Sequence, residues 1–365
     1  MNEIDWKTEI LPALEKIRNE GVNIDLLRNL FIEKLNYDFS DQLTNIKFRE
    51  SIKESVLSTK IIAEKDEFKV IFCQIDTLLK GKEPEIIKDI SSYYPSNIII
   101  LTNRKADEAH FINTRYVGKK QDKKVKGFRR ITVGKTDRLR TAAERLSMLY
   151  ADTHTSTLGL MQKCVDAFDV EAVTVEFYKE FVEKYKYLRG VIQETNNLPF
   201  KDADELTQNI LNRLLFLYFI QKKGWLNNNY KFLYDNFDSC KKNGKVYYKD
   251  FLVPLFKKLS DKDFSAQGFE NIPFLNGGLF EFQEIKEDIT IPNSVFDEIF
   301  GNLLERFNFT VREDTEFEEE VAIDPEMLGK IFEQLILSVE ANEYEDISDP
   351  RRESGSYYTP RFIVS

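Results

Sequence analysis

The chain has 365 residues, a formal charge of −10, 42% hydrophobic and 13% aromatic residues. This length exceeds one ordinary core and the apolar content excludes a disordered polymer, so two or three packed domains are expected. Three scattered cysteines, Cys73, Cys164 and Cys240, exclude a disulfide framework and fit a reducing, cytoplasmic setting.

The N-terminus "MNEIDWKTEI" has neither a basic n-region nor an apolar h-region, so no leader is read. The longest strongly apolar run, "LLFLYFI" at 214–220, is too short to span a bilayer, and no membrane partner is expected. Residues 1–40 read as helix, with Ile24, Leu27, Leu30, Phe31 and Leu35 at helical spacing. "STKIIAEK" and "FKVIFCQID", separated by "DE", predict a hairpin. "EPEIIKDISSYY" returns to helix with Pro84 in its first turn, and "SNIIILTN" (96–103) is a buried strand. Together these predict a small α/β module over 1–135.

"KTDRLRTAAERLSMLY" opens a helical region, capped by Thr136 or Asp137. The clearest helix, "DADELTQNILNRLLFLYFIQKKGW", has an acidic first turn, an apolar middle and Gly224 as its stop. Its middle is apolar nearly all round, which places it at the centre of a helical domain over 136–310, and Arg213 and Trp225 read as packing residues. "PFLNGGLFE" contains a tight turn at Asn276-Gly277-Gly278. In "IDPEMLGKIFEQLI", Asp324 caps a further helix. The acidic "REDTEFEEE" and "EANEYEDISDP" read as exposed or linking segments within 311–365. The fold class is α+β: an α/β module, nuclease-like in its element order, then a mostly helical domain.

Two histidines, no CxxC and no HExxH argue against a zinc site, and no phosphate-binding Gly-rich loop is present. A metal-dependent nuclease core needs carboxylates from adjacent strands converging on Mg²⁺. The candidates are Glu33, Asp66, Gln74 and Asp76; Gln74 and Asp76 are two apart and share a strand face. The usual Glu-x-Lys ending is replaced by "QID". An active nuclease and a catalytically dead module both remain open, with Mg²⁺ required only for the first.

Charge is segregated. Between Arg115 and Arg145 stand twelve Lys/Arg against three Asp/Glu. Such a block on an acidic protein reads either as a solvated loop and helix face or as a site for double-stranded DNA, the latter with Arg129, Arg130, Lys135, Arg138 and Arg140 as candidates.

Three stretches, "NRLLFLYFIQKKGWL", "PFLNGGLFE" and "FNFTVREDTEFEEEVAIDPEMLGKIFEQLI…RRESGSYYTPRFIV", resemble the region ahead of the methyltransferase domain in type IIG restriction–modification enzymes. They also resemble the adenine-specific methyltransferases of BREX-type phage defence. The resemblance is strongest over 205–365 and looser over 1–150. It implies that "GSYYTP" is motif X of an N6-adenine DNA methyltransferase, with Tyr357, Tyr358, Thr359 and Pro360 beside S-adenosylmethionine. The family's Gly-rich loop and Asn-Pro-Pro-Tyr segment are missing before Ser365. The chain therefore reads as an N-terminal fragment that binds DNA and is not itself competent for methyl transfer, working with defence-system partner proteins. The alternative is a non-enzymatic DNA-binding or assembly scaffold with a degenerate nuclease-like module.

Overall fold

A computed structural model describes residues 4–78, 81–120, 123–275, 278–280, 288–311, 318–326 and 329; for 116–120 and 123–126 it describes the backbone. The chain forms two compact units. The first comprises the described residues of Met1–Val173, Leu304–Asn308 and Arg312–Ala322; the second comprises those of Thr174–Leu303, Phe309–Val311 and Ile323–Ser365.

The first unit is built on a seven-stranded sheet in the order β1-β2-β3-β4-β5-β6-β7. Its strands are β1 (Asp38–Leu43), β2 (Val56–Lys65), β3 (Phe68–Ile75), β4 (Asn97–Thr102), β5 (Glu108–Lys120), β6 (Lys123–Gly134) and β7 (Glu318–Glu320). Neighbours are antiparallel except β3/β4 and β6/β7. Its helices are α1 (Leu11–Glu20), α2 (Ile24–Arg28), α3 (Glu50–Lys53), α4 (Glu83–Tyr93), α5 (Leu139–Ser147) and α6 (Thr157–Ala167). Wider turns at Trp6–Ile10 and Asn29–Lys34 flank the first two.

The parallel step from β3 to β4 is made through α4, the crossover such a step requires. Both faces of the central strands are covered, which is why β4 reads as one apolar run, all six residues buried. On one face Ile71, Cys73, Ile99, Leu101 and Ile112 pack with Ile86, Ile87 and Ile90 of α4. On the other, Phe31 meets Phe111 at 6.4 Å and Tyr37 meets Phe68 at 6.2 Å between ring centroids.

The second unit is helical. It takes in most of α7 (Val170–Asn196), then α8 (Phe200–Lys222), α9 (Phe232–Lys242), α10 (Val253–Ser260) and α11 (Asn293–Ile299). Helix α8 buries Leu211, Leu214, Leu215, Leu217, Phe219 and Ile220, residues from nearly all round its axis, and so occupies the core of this unit. Gly224 follows it at φ 79°, where Trp225 N–H donates to the Ile220 carbonyl at 3.1 Å and Gly224 N–H to Gln221 at 2.8 Å. An aromatic cluster fills the rest: Phe237 stacks on Phe300 at 4.9 Å and Tyr247 on Phe251 at 5.2 Å. Arg213 is buried among Phe256 and Phe280, and its Nε donates to the Leu279 carbonyl at 2.7 Å. Trp225 differs from expectation: it is half exposed, with the Lys223 ammonium 5.6 Å from its ring centroid.

Candidate functional site

Strand β7 explains the end of the first unit. Its three consecutive glutamates pair with the arginine-bearing stretch of β6 in the register Phe128↔Glu318, Arg129↔Glu319 and Arg130↔Glu320. Arg129 forms an ion pair with Glu319. Arg130 reaches Glu318 at 3.2 Å and, across the sheet face, Glu83 of α4 at 3.1 Å. Thr132 donates to Glu320 at 2.7 Å. His110 stands between Glu83 at 3.3 Å and Glu108 at 2.6 Å, completely buried. Burying a charge without a partner is prohibitive, so Glu318, Glu319 and Glu320, the end of an acidic stretch expected to be exposed or linking, pair with the sheet as the arginines' counter-charge.

This placement bears on the five basic candidates. Arg129, Arg130 and Arg138 are nearly fully buried, Arg138 lying 2.5 Å from Glu305. Arg140 pairs with Glu144 at 3.0 Å and lies 5.4 Å from the Trp6 ring centroid. Lys135 is exposed in the turn between β6 and α5. Three of the four arginines are thus engaged inside the protein, and Arg140 is partly exposed but paired.

The nuclease candidates are not brought together either. Asp66 is exposed in the β2–β3 turn at φ 51°, ahead of β3, whereas Asp76 follows the end of β3. Eight strand residues at about 3.3 Å each hold them roughly 26 Å apart. Asp76 pairs with Arg104 at 2.8 Å, the Gln74 side chain donates to the Asn103 carbonyl at 3.4 Å, and Glu33 is exposed on the turn Asn29–Lys34. Among the described residues no three His, Cys, Asp or Glu side chains are grouped so as to hold a metal ion. These four residues do not form a Mg²⁺ cradle. The thiols offer no nucleophile: burial pushes Cys164 up to about 12 and raises Cys73 further. Tyr357, Tyr358, Thr359 and Pro360, with Asn276 and Gly277, lie outside the described residues.

Two features were not read from the sequence. The first is a ribbon. Strand β4 covers β5 over Ala109–Ile112, and β7 covers β6 over Phe128–Arg130. Beyond them, among the described residues, β5 and β6 pair only with each other, from Arg115↔Gly127 through Lys119↔Lys124 to Lys120↔Lys123. This two-stranded extension runs roughly 18 Å. Residues 115–127 hold six Lys/Arg and one acid. Like charges in direct cross-strand register destabilise a hairpin, so the lysine pairs oppose the ribbon's own stability.

The second is a cleft of about 1090 Å³ at the ribbon's root, lined by Asn97, Asn113, Arg115, Arg129, Ser156 and Gln162 and by an apolar stripe of α6. That stripe is Leu158, Met161 and Val165, at helical spacing and all exposed. Asn97 and Asn113 are more than nine-tenths buried, and the amide oxygen of each has no hydrogen-bond partner. An unmade buried hydrogen bond costs about 1–3 kcal/mol. Half-buried Arg115 has its guanidinium pKa lowered by burial, opposed by nearby Asp169 and Glu171. The usable sequence signal was register: strand pairing sets "FRR" beside "EEE" and sets Lys119 and Lys120 opposite Lys124 and Lys123.

A 232-residue stretch is 28% identical to a protein of Methanocaldococcus jannaschii provisionally named as a type II restriction enzyme and methyltransferase; it takes in 53% of this chain. The aligned part spans about a fifth of that relative's length, 19%. No family profile and no solved structure matches the chain. Among the described residues no helix is long and apolar enough to cross a membrane.

Proposed function

We propose that the chain is the DNA-engaging front module of a restriction–modification protein, and that the β5–β6 ribbon grips double-stranded DNA. The register of lysine against lysine at its end carries this reading, because such pairs favour a polyanion over solvent. A two-stranded ribbon also has the width that the major groove admits. Arg129 and Arg130, two of the arginine candidates, tie β6 to β7 and, through Glu83, to α4 at the ribbon's base. The helical unit is the connector to a downstream N6-adenine methyltransferase that uses S-adenosylmethionine, with Tyr357–Pro360 as its motif X. The name of the M. jannaschii relative and the order of the motifs support this wider assignment. The gene beyond codon 365 tests it, through a Gly-rich loop followed by Asn-Pro-Pro-Tyr in frame.

Replacing Lys119, Lys120, Lys123 and Lys124 by Gln tests the ribbon. The slope of log affinity against log salt should fall by roughly three to four, since each phosphate neutralised contributes about 0.9. An unchanged slope would remove the ribbon from the interface. The placement of Asp66 and Asp76 at opposite ends of β3 favours binding without cleavage, the scaffold reading, over an active nuclease.

A further inference from the structure

We propose that the cleft at the root of the ribbon binds a single unpaired nucleotide. The inference goes beyond the ribbon reading and rests on the cleft's own residues. The volume, about 1090 Å³, is slightly above the roughly 300–1,000 Å³ usual for small-ligand sites. One wall, Leu158, Met161 and Val165, is apolar, solvent-exposed and carried on one helix, so it offers a face to a flat ring. The sheet contributes Asn113, whose amide oxygen lacks a donor and which shares a strand face with Arg115. A nucleobase supplies what is missing: a π face for the stripe and a ring or exocyclic N–H group for the amide oxygen.

Arg115 supplies the position for a phosphate. Asp169 and Glu171 lie close enough to act on it, which favours one phosphate there over a run of them. Arg115 is also the first residue of the unsupported ribbon, paired with Gly127. A strand held along the ribbon can therefore turn one nucleotide into the cleft with no break in its path. A free nucleotide shares this chemistry, and the experiment separates the two sources.

The probes are a duplex with one unpaired adenosine, the same duplex with an abasic unit there, an intact duplex and deoxyadenosine monophosphate. At about 0.15 M salt the 365-residue chain should bind the adenosine-bearing duplex about tenfold more tightly than the abasic one. Asn113→Leu, which replaces an unpartnered amide with an apolar side chain of similar size, should abolish the preference and leave intact-duplex affinity unchanged. Leu158→Ser, on the exposed face of α6, should do the same without touching the core, and decides the matter should Asn113→Leu fail to fold. The Met161 methyl resonance should shift with the mononucleotide in the parent chain and not in either variant. A shift with the mononucleotide and no preference among duplexes identifies a free nucleotide as the ligand. A preference that survives both variants, or no preference together with no Met161 shift, overturns the proposal. Loss of intact-duplex binding with the Met161 response preserved would sink the ribbon reading alone.

Discussion

Arg130 holds a guanidinium in a site that water barely reaches, between Glu83 and Glu318. Removing one member of such a pair strands the other, at a cost of about 3–5 kcal/mol, whereas replacing both with apolar residues of similar volume is often neutral. Arg130→Ala should therefore lower the urea midpoint of the first unit sharply, and Glu83→Leu with Arg130→Met should recover part of it, because Glu318 and His110 each still lose a partner. A fall in midpoint as small as that of an exposed Lys135→Ala control would show that the pair carries no stability. Cys164 gives a second residue-scale expectation. Burial raises its thiol from an ordinary 9.0 to about 12, so the native thiol stays protonated while the unfolded one ionises. That contribution is whole below about pH 9 and is lost as pH rises toward 12. Between pH 8 and pH 11 the urea midpoint of the parent chain should drop more steeply than that of Cys164→Ala; parallel curves would refute it. Neither residue's environment was legible beforehand. Composition gave the charge and the thiol, while the counter-charge on Arg130 comes from α4 and from glutamates 188 positions away.

Elements with a local cause were legible, and those made by pairing were not. The hairpin expected on either side of "DE" is β2 and β3, closed by a two-residue turn with Asp66 at φ 51°. Its strands carry their own β-branched and aromatic pattern, and Asp tolerates the left-handed turn. Helix α8 ends where Gly224 was read as its stop, because only glycine enters φ 79° without cost. A Cβ there would also come 3.0 Å from the Asn228 side-chain oxygen. Gly224→Ala should cost about 1 kcal/mol or somewhat more, read as a lowered thermal midpoint. No change would mean that the two hydrogen bonds of the cap hold without glycine. The start of α5 differs from expectation. Neither Thr136 nor Asp137 caps it: Asp137 accepts from Gly134 N–H at 2.8 Å and closes the turn after β6, and Arg138 stands at the cap position, its side chain turned to Glu305 and not to the helix N–H groups. Strand β7 has almost no strand propensity, being three glutamates, and exists because β6 offers arginines at the matching positions.

At the scale of the molecule, charge separation was visible in the sequence but its division was not. The same basic block supplies internal ties at its C-terminal part and an external ribbon at its N-terminal part, and only the strand register distinguishes them. The division also governs the catalytic question. A Mg²⁺ nuclease needs carboxylates that meet; here Asp66 and Asp76 bracket a whole strand, and Asp76 is already paired with Arg104. The chain should therefore retain duplex DNA in a salt-dependent way without converting supercoiled plasmid to nicked or linear forms in Mg²⁺. Cleavage that disappears in Asp76→Ala would reverse this, because it would require the exposed end of β3 to assemble a metal site with residues outside those described. Binding without cleavage would leave the ribbon and its cleft as the functional surface of this part of the protein.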